Sequence, residues 1–420
     1  MTNLAQLDLF SAVESAYLEN GGQLNQKDLY DSVAKATGIN PEEHVATVGK
    51  QENVNLFYRK VRWIQQSLKQ SKMLQRVEKG VWQLIGKAEE KLHQIAASKS
   101  ILAFSSDLGV IICSKSEAVF DKGIINEDVD LVLTSPPYIL DQARLYGGVP
   151  AKEWVDFIMS IINRIIPRLS DGASIALNIG QDSFHKGSPA RHTHIERLTI
   201  AMEDAGLYLI DRLIWSSNKA PAPYAWASRT RYQLNVGYEF VLWFSNNPLK
   251  LRSSNQRVLM PHSENHKRFV QRGGIKTAAV TSDGAYRKSV GDYSKTDLEN
   301  GGKIPTNVLY FANKCRSNER VNRYAREVLG CHTHGAKFPL SLVNFLVSFL
   351  SKPGDLVVDP FAGTSTVGES CQSLNRRFIM IEPILEYVKQ SFIRFASLSQ
   401  QWWVNPHFAT QDQINYLMEA

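Results

Sequence analysis

The chain has 420 residues, 43% of them apolar, and a formal net charge of +7. That length suggests two or three domains with packed cores, and the moderate positive charge suits a polyanionic partner without demanding one. The four cysteines are scattered with no CxxC pair, which argues against a disulfide framework or a standard zinc site. No apolar run approaches the ~18 residues of a membrane span, and the N-terminus has neither the basic nor the apolar region of a signal peptide, so a cytoplasmic protein with no membrane partner is expected.

In chain order, Leu7, Phe10, Val13 and Tyr17 recur at helical spacing over 4–20, and Asn20-Gly21-Gly22 ends that helix. A second helix is predicted from near Asn25, with Leu29, Val33 and Ala36 on one side. A third covers 55–74, with Phe57, Val61, Ile64 and Leu68 as its apolar stripe and Arg59, Lys60, Arg62 and Lys69 off it. Residues 74–85 read as a hairpin around Glu78-Lys79-Gly80. Three helices and a hairpin predict a winged-helix-like domain over 1–90. Its basic third helix, with Arg59, Lys60 and Arg62, is a candidate for a DNA groove; a solvated packing helix is the plainer alternative. The charged, then small and polar run at 87–100 reads as a connection, with the linker at 91–100.

Beyond it, short apolar runs alternate with helical stretches. Strands are predicted at 109–114, 130–135, 173–180, 209–217 and 237–245, and helices at 151–169 and 194–206. That alternation predicts an α/β sheet, largely parallel. Residues 250–303 break the pattern: they are polar, basic and weakly periodic, as functional insertions are. "CHTHG" at 331–335 groups Cys331, His332 and His334 and is expected to be an ordinary loop, because metal sites draw ligands from spaced positions. A helix at 338–350 and a βαβ unit at 355–383 follow.

Two stretches carry chemistry. In "DLVLTSPPYIL" a core strand ends on Ser135-Pro136-Pro137-Tyr138. Each proline fixes its own φ and biases the residue before it towards extended backbone, so a stiff tip holds a hydroxyl, two carbonyls and an aromatic ring in fixed directions. In "DLVVDPFAGTSTVGES" a strand leads through Asp359 and a Gly363 turn into a helix, whose N-terminus adds a positive dipole end. Glu382 follows at a later strand tip, where an acid can hold the hydroxyls of a ribose. There is no GxGxxG, so the site suits an adenosine-type ligand without a pyrophosphate. S-adenosylmethionine fits, with Asp359 facing its amino group and Glu382 its ribose.

Together these residues resemble the amino-methylating DNA methyltransferases of permuted motif order, the β class. In that family "(S/D)PP(Y/F)" comes first, a target-recognition region lies in the middle, and "DPFxGxGT" comes late. The likeness covers about 101–395, and "HGAKFPLSLV" at 334–343 resembles the family's cofactor-lining segment. The resemblance implies an α/β, Rossmann-like, S-adenosylmethionine-dependent methyltransferase sheet with an N-terminal winged-helix-like domain and an irregular target-recognition insertion. It implies a catalytic half at 101–249, a target-recognition region at 250–330 whose Arg268 and Arg272 are candidate DNA contacts, and a cofactor-binding half at 331–420. It implies that Phe338, Pro339, Asp359, Phe361, Gly363, Thr364, Thr366 and Glu382 hold S-adenosylmethionine. It also implies double-stranded DNA as partner, acted on by a monomer or homodimer, with a cognate restriction endonuclease as a further partner.

Two positions depart from the family pattern. Lys115 falls where an acid near the adenine is common, so Ser114, Ser116 or apolar residues are expected to replace that contact. Ser365 stands for a glycine, tolerable if its φ is negative.

The implied target is an exocyclic amine of a flipped base. Its lone pair is delocalised, so catalysis needs acceptors aimed at the amine hydrogens. Ser135 Oγ and the Pro136 carbonyl can supply them, Pro136 and Pro137 keep them rigid, and Tyr138 can stack on the base, which makes Tyr138→Phe mild. "SPPY" correlates in the family with cytosine N4, leaving adenine N6 as the alternative. The absence of a Pro-Cys dipeptide argues against cytosine C5. A DNA-binding regulator with an inactive methyltransferase domain is the competing class, and RNA a third substrate option.

Overall fold

A computed structural model describes residues 12–13, 16–17, 20, 23–48, 51–70, 74–78, 80–84, 94–96, 99–139, 149–181, 183–185, 187–218, 224–276, 291–292, 301–398 and 401–419. The chain divides into two compact units, Met1–Lys91 and Leu92–Ala420.

In the first unit, strand β1 (Gln23–Asn25) leads directly into helix α1 (Gln26–Thr37), whose N-cap Asn25 accepts from the Asp28 amide and whose C-cap Gly38 is left-handed. A hairpin of β2 (Val45–Val48) and β3 (Gln51–Asn55) precedes helix α2 (Leu56–Gln70). Strands β4 (Leu74–Glu78) and β5 (Val81–Leu84) then form the predicted wing, with β1 completing a sheet in the order β1-β5-β4. Of the helix predicted at 4–20, only 12–13, 16–17 and 20 fall among the described residues; the two pairs are helical and Asn20 lies in a turn. Val13, Tyr17, Leu29, Val33, Phe57, Val61 and Ile64 are fully buried together. Gln65, also buried, donates to the Tyr17 hydroxyl at 2.8 Å. The side chains of Leu68 and Lys69 lie outside the described residues. The β2–β3 hairpin was not visible in the sequence, because its side chains are polar or half-exposed where they are described.

The second unit is built on ten strands among the described residues: β6 (Ser100–Ser106), β7 (Gly109–Ser114), β8 (Val129–Thr134), β9 (Leu169–Ile179), β10 (Tyr208–Ser216), β11 (Tyr238–Ser245), β14 (Val308–Tyr310), β15 (Leu356–Asp359), β16 (Arg377–Glu382) and β17 (Trp402–Val404). They lie in the order β14-β10-β11-β9-β8-β15-β16-β7-β6-β17. A separate small pair, β12 (Ile275–Lys276) and β13 (Gly291–Asp292), lies in the irregular region.

The five central strands, from β9 to β7, run parallel, whereas both flanks contain antiparallel pairs. The sheet is therefore mixed, where a largely parallel one was expected. Its alternating side chains feed two cores. Val132, Leu177, Leu242, Val358 and Ile381 face helices α4 (Trp154–Ile165) and α5 (His194–Asp204). Leu131, Leu133, Val241, Val357 and Met380 face α8 (Leu340–Leu350) and α9 (Thr366–Ser373).

The remaining helices are α3 (Ser116–Asp121), α6 (Glu264–Gln271), α7 (Arg316–Glu327), α10 (Leu385–Ser391) and α11 (Gln411–Glu419). The segment expected to be irregular thus contains α6, and α7 follows it. No helix among the described residues is long and apolar enough to cross a membrane. "CHTHG" is a loop in which the Gln390 amide donates to Cys331 Sγ (3.4 Å) and to the His332 carbonyl (2.7 Å).

Candidate active site

Parallel strands present their carboxyl ends at one edge, where open α/β sheets bind ligands. Here β8 ends at Thr134 and β15 at Asp359, and they are direct neighbours, with Val132 opposite Val358. Residues 225 positions apart are thereby joined: Thr134 Oγ1 donates to Asp359 Oδ1 at 2.5 Å. Glu382 ends β16 next to it.

A cavity of about 300 Å³ opens at this edge. It is lined by Ser135, Pro136, Pro137 and Tyr138 from the first motif, and by Asp359, Phe361, Gly363, Thr364 and Thr366 from the second. Glu382 and Phe338 also line it. Pro339 does not; it is buried as the residue capping the N-terminus of α8. Arg59 and Arg62 are exposed and Lys60 half-buried on α2 of the first unit, while Arg268 and Arg272 are exposed on and just after α6 of the second.

The glycine turn is held by Glu382, whose two oxygens accept from the Gly363 amide (2.8 Å) and the Ile384 amide (2.9 Å). Gly363 has φ +52°, which suits glycine. Ser365 has φ +57°, contrary to the negative value its tolerance required, and its buried hydroxyl has no hydrogen-bond partner. Arg394, fully buried, fixes the residue between them: it donates to the Thr364 carbonyl and to Thr364 Oγ1 (3.0 Å), and it pairs with buried Glu369 at 2.5 Å. Burial raises the Asp359 carboxyl to about 7, against bonds from Thr134 and the Phe361 amide, and raises Glu382 to about 8.

At the Ser135–Tyr138 tip, buried Trp154 donates its indole N–H to the Pro137 carbonyl at 2.6 Å. Of the two proline carbonyls, Pro137's is therefore engaged in holding the tip. Tyr138 is tied down as well. Its hydroxyl donates to Glu239 Oε2 (3.2 Å), and Asn178 Nδ2 donates to the same carboxylate oxygen (2.8 Å). The expectation that Tyr138→Phe is mild treated the ring as a stacking surface alone, and it does not allow for these bonds.

Sequence reasoning missed Glu239 and Asn178, which sit on neighbouring strands and become partners only through the pairing of β11 with β9. Among the charged residues of the cavity wall, it did not single out Glu117 or, within the 334–343 segment, Lys337. Lys115, Ser116 and Glu117 all line the cavity, where Ser116 donates to the Pro360 carbonyl, while Ser114 turns to Ser100 (2.8 Å). Lys337 lines it too, donating to Asn322 Oδ1 (2.6 Å) and the His334 carbonyl, with its ammonium pulled down to about 8 by burial. Carboxylates, an ammonium, backbone amides and the rings of Phe338 and Phe361 together suit a ligand with an aromatic base, a ribose and a zwitterionic amino-acid end.

Residues 129–392 match the DNA methylase family, and residues 14–94 match the Mrr N-terminal domain. Over 273 residues the chain is 30% identical to the Type II methyltransferase M.PvuII of Proteus hauseri, which spans 64% of this chain and 79% of that protein. It is 23% identical over 266 residues to the Type II methyltransferase M.BglII of Bacillus subtilis, covering 63% of each. Among solved structures, PvuII DNA methyltransferase (cytosine-N4-specific) shares the fold with a TM-score of 0.53 at 23% identity, over 75% of this chain and 93% of that one.

Proposed function

The chain belongs to the DNA methylase family, and we propose that it transfers a methyl group from S-adenosylmethionine to the N4 amine of a flipped cytosine in duplex DNA. The observation that carries this reading is the meeting of the Ser135–Tyr138 tip and the Asp359–Thr366 turn in one cavity on adjacent strands. When bound, the cofactor supplies an electrophilic methyl group. Asp359 holds its amino group, Glu382 its ribose and Lys337 its carboxylate, while Phe338, Phe361, Gly363, Thr364 and Thr366 line its bed.

The chain's own contribution to chemistry is positioning. Ser135 Oγ and the Pro136 carbonyl accept hydrogens of the target amine, which favours the pyramidal, nucleophilic nitrogen. Pro136, Pro137 and the Trp154 bond keep these acceptors still, so little reorganisation is needed during transfer. Tyr138 packs on the extracted base. Exposed Arg59 and Arg62 and half-buried Lys60, with Arg268 and Arg272, neutralise DNA phosphates. The likeness to Type II methyltransferases supports a place in a cytoplasmic restriction-modification system with a cognate endonuclease.

"SPPY" and the likeness to a cytosine-N4-specific enzyme favour cytosine over adenine. Nucleoside mass spectrometry of unmodified bacterial DNA incubated with the protein and S-adenosylmethionine tests this. N4-methylcytosine is expected. N6-methyladenine alone would overturn the base and keep the mechanism. No methylated nucleoside would favour a DNA-binding regulator.

A further inference from the structure

Ser135 serves as an acceptor only if its own hydrogen points away from the target amine. A hydroxyl has one hydrogen and can as easily present it forwards, so something must set its direction. Tyr138, four residues past the end of β8, Glu239 at the start of β11 and Asn178 near the end of β9 do so. An ionised carboxylate has no hydrogen to give, so in the 3.2 Å contact between Tyr138 and Glu239 the hydrogen is the tyrosine's. With its single hydrogen spent there, the Tyr138 oxygen can only accept. It accepts from Ser135 Oγ at 3.3 Å and from Asn178 Nδ2 at 3.4 Å. Among the described residues, the other group within reach of Ser135 Oγ is the Asn178 carbonyl at 3.4 Å, again a pure acceptor. Both partners draw the serine hydrogen inwards and leave its oxygen lone pairs to face the cavity. Asn178 Nδ2 also donates to Glu239 at 2.8 Å, which fixes the carboxylate that starts the chain.

We infer that Glu239 is a positioning residue for methyl transfer: through Tyr138 it fixes the hydrogen-bond polarity of Ser135, so that Ser135 meets the amine as an acceptor. The inference rests on the reading of Ser135 as the amine's acceptor. It makes the Tyr138 hydroxyl, as well as its ring, part of the machinery. Without the carboxylate, the Tyr138 hydrogen can turn to Ser135. Ser135 would then direct its own hydrogen at the amine, opposing the hydrogens it must receive.

The test compares Glu239→Met, Glu239→Gln and Tyr138→Phe in the full-length protein, using labelled methyl incorporation into unmodified bacterial genomic DNA, with cofactor affinity measured separately by calorimetry. Glu239→Met removes the acceptor at similar length, and kcat is expected to fall by about 10²–10³, the loss typical of one preorganised hydrogen bond. KM for DNA and the cofactor Kd should stay within about threefold, as for an interaction made in the transition state. Glu239→Gln keeps an oxygen that can accept from Tyr138, and it should recover at least about tenfold over Met. The Glu239→Met/Tyr138→Phe double variant should be little worse than the poorer single one, because both break the same chain. Should Glu239→Met fail to fold, Tyr138→Phe, which removes one oxygen, gives the same kcat reading.

Undiminished kcat in Glu239→Met or Tyr138→Phe would overturn the inference. So would equal losses in kcat and cofactor affinity, or single losses that multiply in the double variant. A wild-type product methylated at a ring carbon would instead overturn the underlying reading of the site.

Discussion

Asp359 and Glu382 are acids held where ionisation is costly. Their carboxyls stand at about 7 and about 8, raised chiefly by burial. A carboxyl raised above its unfolded value binds protons more tightly in the folded state. Its stabilising contribution is therefore complete below the unfolded value and is lost as pH rises through the folded one. The ligand-free protein should lose stability from about pH 5 to about pH 8. A ligand that brings a cation to Asp359 favours the ionised form and expels a proton. Calorimetry of S-adenosylmethionine binding near pH 6.5, in buffers of different ionisation enthalpy, should show net proton release, and Asp359→Asn should reduce it. Binding with no proton exchange would contradict this placement. The two acids were legible because each ends an apolar run. The Glu239–Asn178–Tyr138 cluster was not, since nothing local links a carboxylate to an amide 61 residues away.

At the scale of elements, the turn between β15 and α9 stores strain. Ser365 occupies the left-handed region, with its hydroxyl buried and unpartnered. Left-handed backbone costs an L-residue roughly 1–2 kcal/mol, partly offset in a glycine variant by the extra entropy of the unfolded chain. Ser365→Gly should therefore stabilise by about 1 kcal/mol, read as a higher denaturant midpoint at unchanged slope, and a lower midpoint would show that the serine has a role the turn needs. Elements whose apolar residues cluster were readable: β8, β9, β11 and α8 all sit in the two cores. Helix α7 escaped notice because "RSNERVNRYARE" offers little beyond Val321, Tyr324 and Ala325 to a buried face, and one further buried position is Asn318. Strand β14 has three residues, too few for a period. The flanking antiparallel pairs follow from connections that return a strand beside its predecessor, as β10 and β11 do, and apolar patterning does not encode strand direction.

For the whole molecule, the permuted order is resolved by the sheet: segments at opposite ends of the second unit's sequence become neighbours when β15 enters between β8 and β16. The first unit contributes exposed Arg59 and Arg62 on α2. If these meet phosphates, Arg59→Ala and Arg62→Ala should each lower the slope of log affinity against log salt by about 1 and weaken binding uniformly across DNA sequences. Unchanged slopes in the double variant would assign the helix another task. The central claim, that a rigid strand tip aims an acceptor at an exocyclic amine, is tested most directly by Ser135→Ala. With labelled S-adenosylmethionine and unmodified genomic DNA, kcat should fall by about 10²–10³, while KM for DNA and the cofactor Kd change by less than about threefold. A Ser135→Ala protein that methylates as fast as the wild type would contradict it.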